Sequence, residues 1–179
     1  MNHDTPRKIL LIEDNPVDVS LFKEYLERTE KVKTELTVTN LFADALGYLG
    51  FNRFDLIILD LGLPDVIGTE GIEYLKKSIP NTPLIILTGC EDPEVGMNAI
   101  QLGAQDYLIK GKFDAFLLDK SIGYAIERHK LYLEMKNINL QLTNNIKQLE
   151  LTNNALLNSR ESVICYKNEL ETLRLKFAS

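Results

Sequence analysis

Two adjacent carboxylates, Glu13 and Asp14, close the apolar run that begins "KILLIEDNPVD" at Lys8. Like charges side by side repel, and the cost rises if they are partly withdrawn from water. A third carboxylate, Asp60, ends "DLIILD" (55–60); the hydroxyl of Thr88 ends "PLIILT" (83–88), and the ammonium of Lys110 ends "DYLIK" (106–110). Clustered carboxylates are hard oxygen ligands suited to Mg²⁺ (or Mn²⁺), an ion that keeps several waters and needs few protein groups. Such an ion would offset the mutual repulsion of the acids. A lysine opposite would neutralise an added phosphoryl group, and a hydroxyl could donate to a phosphoryl oxygen. Singly, each residue has a plainer reading. Asn15 or Asp14 before Pro16 suits a helix N-cap, and Asp18 the helix dipole. Asp60 opens the turn-like "LPDVIG", and Lys110 alone would be a solvated lysine. The shared position at the ends of apolar runs is what joins them into one site.

Those ends must be brought together by the elements between them. "KILLIE" (8–13), "ELTVT" (35–39), "DLIILD", "PLIILT" and "DYLIK" read as strands. Positions 9–12, 56–59 and 84–87 are apolar almost without interruption, which suits central parallel strands covered on both faces. "ELTVT" alternates and suits an edge. The helical candidates are "PVDVSLFKEYLERT", "LFADALGYLG", "GTEGIEYLKKS" and "DPEVGMNAIQLG". Pro16 and Pro93 stand where first turns would start, and Gly50 and Gly103 where C-caps would fall. In the first of these helices Val17, Leu21 and Tyr25, with Phe22 and Leu26, share one face. Strands alternating with helices predict an α/β domain with a parallel sheet, at residues 5–125. In such sheets ligands bind outside the carboxyl ends of the strands, where all five polar residues lie.

From Asp114 the pattern changes, and neither Gly nor Pro occurs after Gly123. Met135, Leu142, Leu149, Leu156, Val163, Leu170 and Phe177 form an unbroken seven-residue apolar repeat. The matching d positions are Leu131, Ile138, Asn145, Thr152, Ser159, Tyr166 and Leu173. The pattern predicts that residues 126–179 form a long helix that pairs with a second copy as a parallel coiled coil. The middle d positions are polar, and a buried Asn145 would set register at a cost in stability.

On these residues and motifs the sequence resembles the receiver domains of two-component response regulators, over about residues 7–128. The resemblance runs through "IEDNPVD", "DLIILDLGLPDVIG" with its Asp60, Pro64 and Gly68 spacing, "PLIILTG" and "GAQDYLIKG". It implies a flavodoxin-like, doubly wound five-stranded sheet of order 2-1-3-4-5. It also implies that a histidine kinase or phosphotransfer protein delivers a phosphoryl group to Asp60. Glu13, Asp14, Asp60 and the backbone carbonyl of Gly62 would ligate Mg²⁺, Thr88 and Lys110 would contact the phosphoryl group, and Tyr107 would be the aromatic that shifts with Thr88. The chain would then modify and restore itself and would not turn over a separate substrate. It departs from the family where Lys110-Gly111 replaces a Lys-Pro pair, usually cis, and where Gly62 and Cys90 offer no charged side chain beside the acceptor.

Bulk composition narrows the alternatives. The net charge of −6 argues against a nucleic-acid surface. Residues 1–112 carry 18 acids and 11 bases, residues 113–179 only 8 and 9. Cys90 and Cys165 lack metal-ligand spacing and read as free thiols of a reducing, cytoplasmic setting. Cys90 is expected to be a small buried filler, and His129 a solvated helix histidine. No apolar run reaches the roughly 18–20 residues of a membrane span. A flavin carrier would need a Ser/Thr/Gly-rich phosphate loop where "EDNPVD" stands, and a phosphohydrolase a second acid where Gly62 stands. Two further readings stay open: a regulatory fragment lacking an output module such as a diguanylate cyclase, and a receiver-fold scaffold never phosphorylated. The unbroken run after Tyr124 predicts that phosphorylation at Asp60 changes how paired domains sit on a shared rod.

Overall fold

The computed structural model describes residues 6–28 and 33–177, with side chains of 175–177 left out. His3 and Thr29 lie outside the described residues, as does the side chain of Phe177. Five strands, β1 (Arg7–Ile12), β2 (Thr34–Thr39), β3 (Leu56–Asp60), β4 (Leu84–Thr88) and β5 (Asp106–Ile109), alternate with α1 (Pro16–Glu27), α2 (Phe42–Phe51), α3 (Glu70–Ser78), α4 (Pro93–Gln101) and α5 (Ala115–Phe177). All neighbouring strands pair in parallel, in the order β2-β1-β3-β4-β5. The alternating strand is an edge, and the three continuously apolar strands lie inside.

Side chains on a strand alternate between faces, so each central strand feeds two cores. Leu10, Ile12, Ile57, Leu59, Leu84 and Ile86 pack with Phe42, Ala45, Ile72, Leu75 and Ala99 of α2, α3 and α4. Ile9, Leu11, Ile58, Ile85 and Leu87 pack with Phe22 of α1 and with Leu118, Ile122 and Ala125 of α5. Burial on both sides explains why these strands are apolar at successive positions. A fully buried Leu or Ile contributes about 1.5–3 kcal/mol, so the strands hold the frame on which the polar ends are mounted.

Local signals set some of the helix ends. Asn15 accepts from the Val17 amide at 3.0 Å and Pro16 occupies the first turn of α1. Asp92 does the same for Glu94 at 2.9 Å ahead of Pro93. Gly103 follows α4 at a φ of 103°, where a side chain would be strained. Gly50, by contrast, lies inside the last turn of α2, which closes at Asn52. Val17 is 71% exposed; Val19, Phe22, Tyr25 and Leu26 form the packed face of α1. The expectation for Val17 fails: it stands in the first turn of a helix that starts at Pro16, and the residues packed on the core are those further along.

The chain divides into two compact units, residues 1–133 and 134–179. Within the first, α5 stays packed well past Ala125: Arg128 donates to the Gln105 carbonyl at 2.8 Å, and His129 is buried. His129 is therefore not solvated. Burial, together with the Lys76 charge, holds its pKa below the usual imidazole value against a hydrogen bond to the Asn81 backbone. The second unit is helical through Phe177, and its stripe residues Met135, Ile138, Leu142, Leu149, Leu156, Val163 and Leu170 are all exposed, as is Leu131 at the end of the first unit. Among the described residues no helix is long and apolar enough to cross a membrane.

Candidate functional site

In the order β2-β1-β3-β4-β5 the connections reverse direction across β1, which opens a crevice beyond the ends of β1 and β3. Ile12 pairs with Leu59, so the residues that follow, Glu13 and Asp60, emerge as neighbours. Glu13, Asp14 and Asp60 each offer a carboxylate oxygen within 4.8 Å of the others. Glu13 and Asp60 are buried and Asp14 is exposed, giving the cluster one open side. The Glu13 amide is held by the Thr39 carbonyl at 2.9 Å, and its Oε1 accepts from the Asn15 amide at 3.1 Å.

Lys110 reaches the same crevice from β5. Its amide donates to the Thr88 carbonyl at 2.9 Å, continuing the β4–β5 ladder in which Thr88 pairs with Ile109. Its ammonium lies 2.7 Å from Glu13 Oε2, 2.9 Å from Asp60 Oδ2 and 3.0 Å from Asp18 Oδ2. Burial would lower the Lys110 pKa, but the contacts with Glu13, Asp60 and Asp18 outweigh it and hold the lysine above its ordinary value. For Glu13 burial is the largest influence and raises the pKa; Lys110 and the Asn15 amide oppose it, and the Asp60 charge adds to it. The strain falls on Glu13 and stems first from lost hydration, with the Asp60 charge adding to it; the adjacent Asp14, expected to be the source of the repulsion, is not among its causes.

Thr88 is buried, and its hydroxyl accepts from the Cys90 amide at 3.0 Å, which leaves its own proton for another acceptor. Cys90 itself is exposed in the loop after β4, and so is no core filler. The carbonyl of Gly62 belongs to the turn after β3. A Cβ at Gly62 would stand 3.1 Å from Asp60 Oδ2, so the glycine keeps that oxygen uncrowded. Tyr107 pairs with Ile86, two residues before Thr88, and is half-buried. Its ring lies over Gly96, where any Cβ would overlap it. The Lys110-Gly111 bond is trans, and Gly111 makes the turn at a φ of 76°. Glycine adopts this backbone readily, so the loop closes without the family's proline.

Sequence reasoning missed two contributors. From the sequence Asp18 suits only the helix dipole, yet its carboxylate reaches Lys110. The signal lay in the helix start: side chains tilt toward a helix's N-terminus, so a first-turn carboxylate points back to the strand ends. Asp65 falls within the turn-like "LPDVIG". Its carboxylate accepts from the amides of Phe42 and Ala43 at 3.0 and 2.9 Å, capping α2, whose own N-cap residue Leu41 makes no side-chain cap.

Three hard oxygen donors converging on one open point, one of them with a raised pKa, suit a small divalent cation. An ammonium already lies against two of them, Glu13 and Asp60. The family model for the response regulator receiver domain matches residues 9–121. The chain belongs to this family. As a receiver it is 32% identical over 100 residues to the luminescence regulatory protein LuxO of Vibrio campbellii, covering 56% of this chain and 21% of that protein. The chain thus spans about a fifth of that relative's length. It superposes on a response regulator receiver domain protein from Clostridium thermocellum with a TM-score of 0.61 and 30% identity, covering 70% of this chain and 98% of the other. For the Mn²⁺-bound form of the response regulator Rcp1 the TM-score is 0.56 and the identity 27%, covering 66% and 91%.

Proposed function

We propose that this receiver accepts a phosphoryl group on Asp60 from a histidine kinase or phosphotransfer protein, and that the modification switches a dimer formed through α5. The observation that carries the reading is the convergence on Asp60 of the Lys110 ammonium and of the Glu13 and Asp14 carboxylates. Glu13, Asp14, Asp60 and the Gly62 carbonyl would hold Mg²⁺, in keeping with the Mn²⁺ named for Rcp1. When bound, the ion supplies positive charge against the carboxylates and the incoming phosphoryl oxygens.

In the transfer, an Asp60 carboxylate oxygen forms a bond to phosphorus while the bond from phosphorus to the donor breaks, its electron pair leaving with the donor. Lys110 stabilises charge on the transferring group, and the Thr88 proton is available to one of its oxygens. In the return step a water oxygen attacks phosphorus, the aspartyl oxygen leaves, and inorganic phosphate and the free carboxylate result. The protein modifies and restores itself and has no separate substrate. Its setting is the cytoplasm, and its outputs run through protein contacts or through modules carried by longer relatives.

The test is direct. With a small phosphodonor and Mg²⁺ the full chain gains the mass of one phosphate. The gain disappears in Asp60→Asn and persists in Asp44→Asn, an exposed residue of α2. No gain in the wild-type chain under any donor identifies a scaffold.

A further inference from the structure

An ammonium carries three N–H donors and no acceptor. In Lys110 that one nitrogen lies within ion-pair distance of three carboxylates: Glu13 at 2.7 Å, Asp60 at 2.9 Å and Asp18 at 3.0 Å. Two of these partners have other duties when the site works. Glu13 and Asp60 belong to the cation cluster, and Asp60 loses a carboxylate charge when it becomes an acyl phosphate. Asp18 stands outside that cluster. We propose that Asp18 is a positioning residue that retains the Lys110 ammonium beside Asp60 while the other two carboxylates are drawn to the cation and the phosphoryl group. The inference rests on the phosphoacceptor reading above.

Asp18 is well mounted for this task. It lies in the first turn of α1, fixed by the Asn15 cap and by Phe22, which is buried one turn later. The lysine stem is flexible, and an ammonium behaves as a point charge that goes where carboxylates hold it. Beside it Leu21, Phe22, Leu87 and Phe113 line a small cleft, and the side chains of Lys110 and Asp18 are only 19% and 27% exposed. Poor solvation of this kind strengthens an ion pair over one at an open surface. Without Asp18 the ammonium would have only the phosphoacceptor and the cation ligands as anchors, and it would lose them as the reaction begins.

The full chain is labelled by acetyl phosphate with Mg²⁺, and the rate at saturating donor is separated from the half-saturating donor concentration. Asp18→Ala lowers the saturating rate about tenfold, the usual scale for loss of one charge-assisted hydrogen bond, and hardly moves the half-saturation. Asp18→Asn, which keeps an acceptor oxygen, falls between. In a Lys110→Ala background Asp18→Ala causes no further loss. In the metal-free protein the nitrogen-15 signal of the Lys110 ammonium is sharp in the wild type and broadened by exchange in Asp18→Ala. A wild-type rate in Asp18→Ala, or an equal loss with and without Lys110, overturns the proposal. If the wild-type chain is not labelled at all, the acceptor reading fails. The ammonium signal then decides the matter, and an unbroadened signal in Asp18→Ala refutes the role.

Discussion

Glu13 carries the sharpest conflict in the molecule. It is a fully buried carboxylate beside Asp60, and burial raises its pKa despite the Lys110 ion pair. A second cation at the open side would relieve that conflict by binding the folded chain and not the unfolded one. Mg²⁺ should therefore raise the melting temperature, by an amount equivalent to about 2.7 kcal/mol when present at roughly 100 times its dissociation constant. Asp14→Asn, which removes the exposed ligand without disturbing the buried pair, should shrink the rise. A scanning-calorimetry trace indifferent to Mg²⁺ in the wild type would show that the acids do not form a cation site. The sequence exposed Glu13, Asp14, Asp60, Thr88 and Lys110 because each follows an apolar run whose strand character was plain. It did not expose the role of Asp18 or the burial of His129, because both depend on which side of a helix meets a partner distant in the chain.

At the scale of elements, α2 depends on a residue that is remote in sequence. Asp65, in the loop after β3, accepts the first free amides of α2 from Phe42 and Ala43. Partial burial acts to raise the Asp65 pKa, but the amides of Ala43, Phe42 and Asp65 itself prevail and lower it. A carboxyl whose folded pKa is depressed stabilises the fold fully above its unfolded value, here 3.8, and this is lost as the pH falls through the lower folded value. Asp65→Ala should cost about 1 kcal/mol at neutral pH, as helix caps do. Urea midpoints of wild type and variant should converge below that range of pH. A gap of the same size in strong acid would mean that the carboxylate charge is not what caps the helix. The same loop shows why helix ends were only partly legible. Asn15-Pro16 and Asp92-Pro93 are local signals and were readable; the Asp65 cap spans 23 residues to Phe42 and was not. Gly50 invited a C-cap reading by type alone, although α2 runs on to Phe51 and closes where the Asn52 amide donates to the Tyr48 carbonyl.

For the molecule as a whole, the sheet order was implied by family resemblance, while its parallel, doubly covered character followed from uninterrupted apolar strands. The helical continuation was equally plain, since nothing after Gly123 could break it. Its purpose turns on the apolar stripe. Helices in water owe most of their stability to packing of an apolar face. Yet Leu142, Leu149, Leu156, Val163 and Leu170 are each more than half exposed in a single chain. A second copy offers the same stripe at the same spacing. Residues 113–179 carry 8 acids and 9 bases, so two copies would meet without strong net repulsion. In a parallel in-register pair every a-position residue faces its own counterpart by symmetry. With Cys90 and Cys165 changed to serine, Val163→Cys should therefore oxidise to a covalent dimer, whereas a cysteine placed at Glu161, off the seam, should not. Leu142→Asp with Leu156→Asp should halve the molar mass of the full chain in light scattering while leaving Asp60 open to phosphorylation. A wild-type chain that is monomeric at concentrations of about 100 μM, where a Kd near 1 μM (roughly 8 kcal/mol) would give almost complete pairing, would leave the stripe for another protein and remove the dimer as the carrier of the signal.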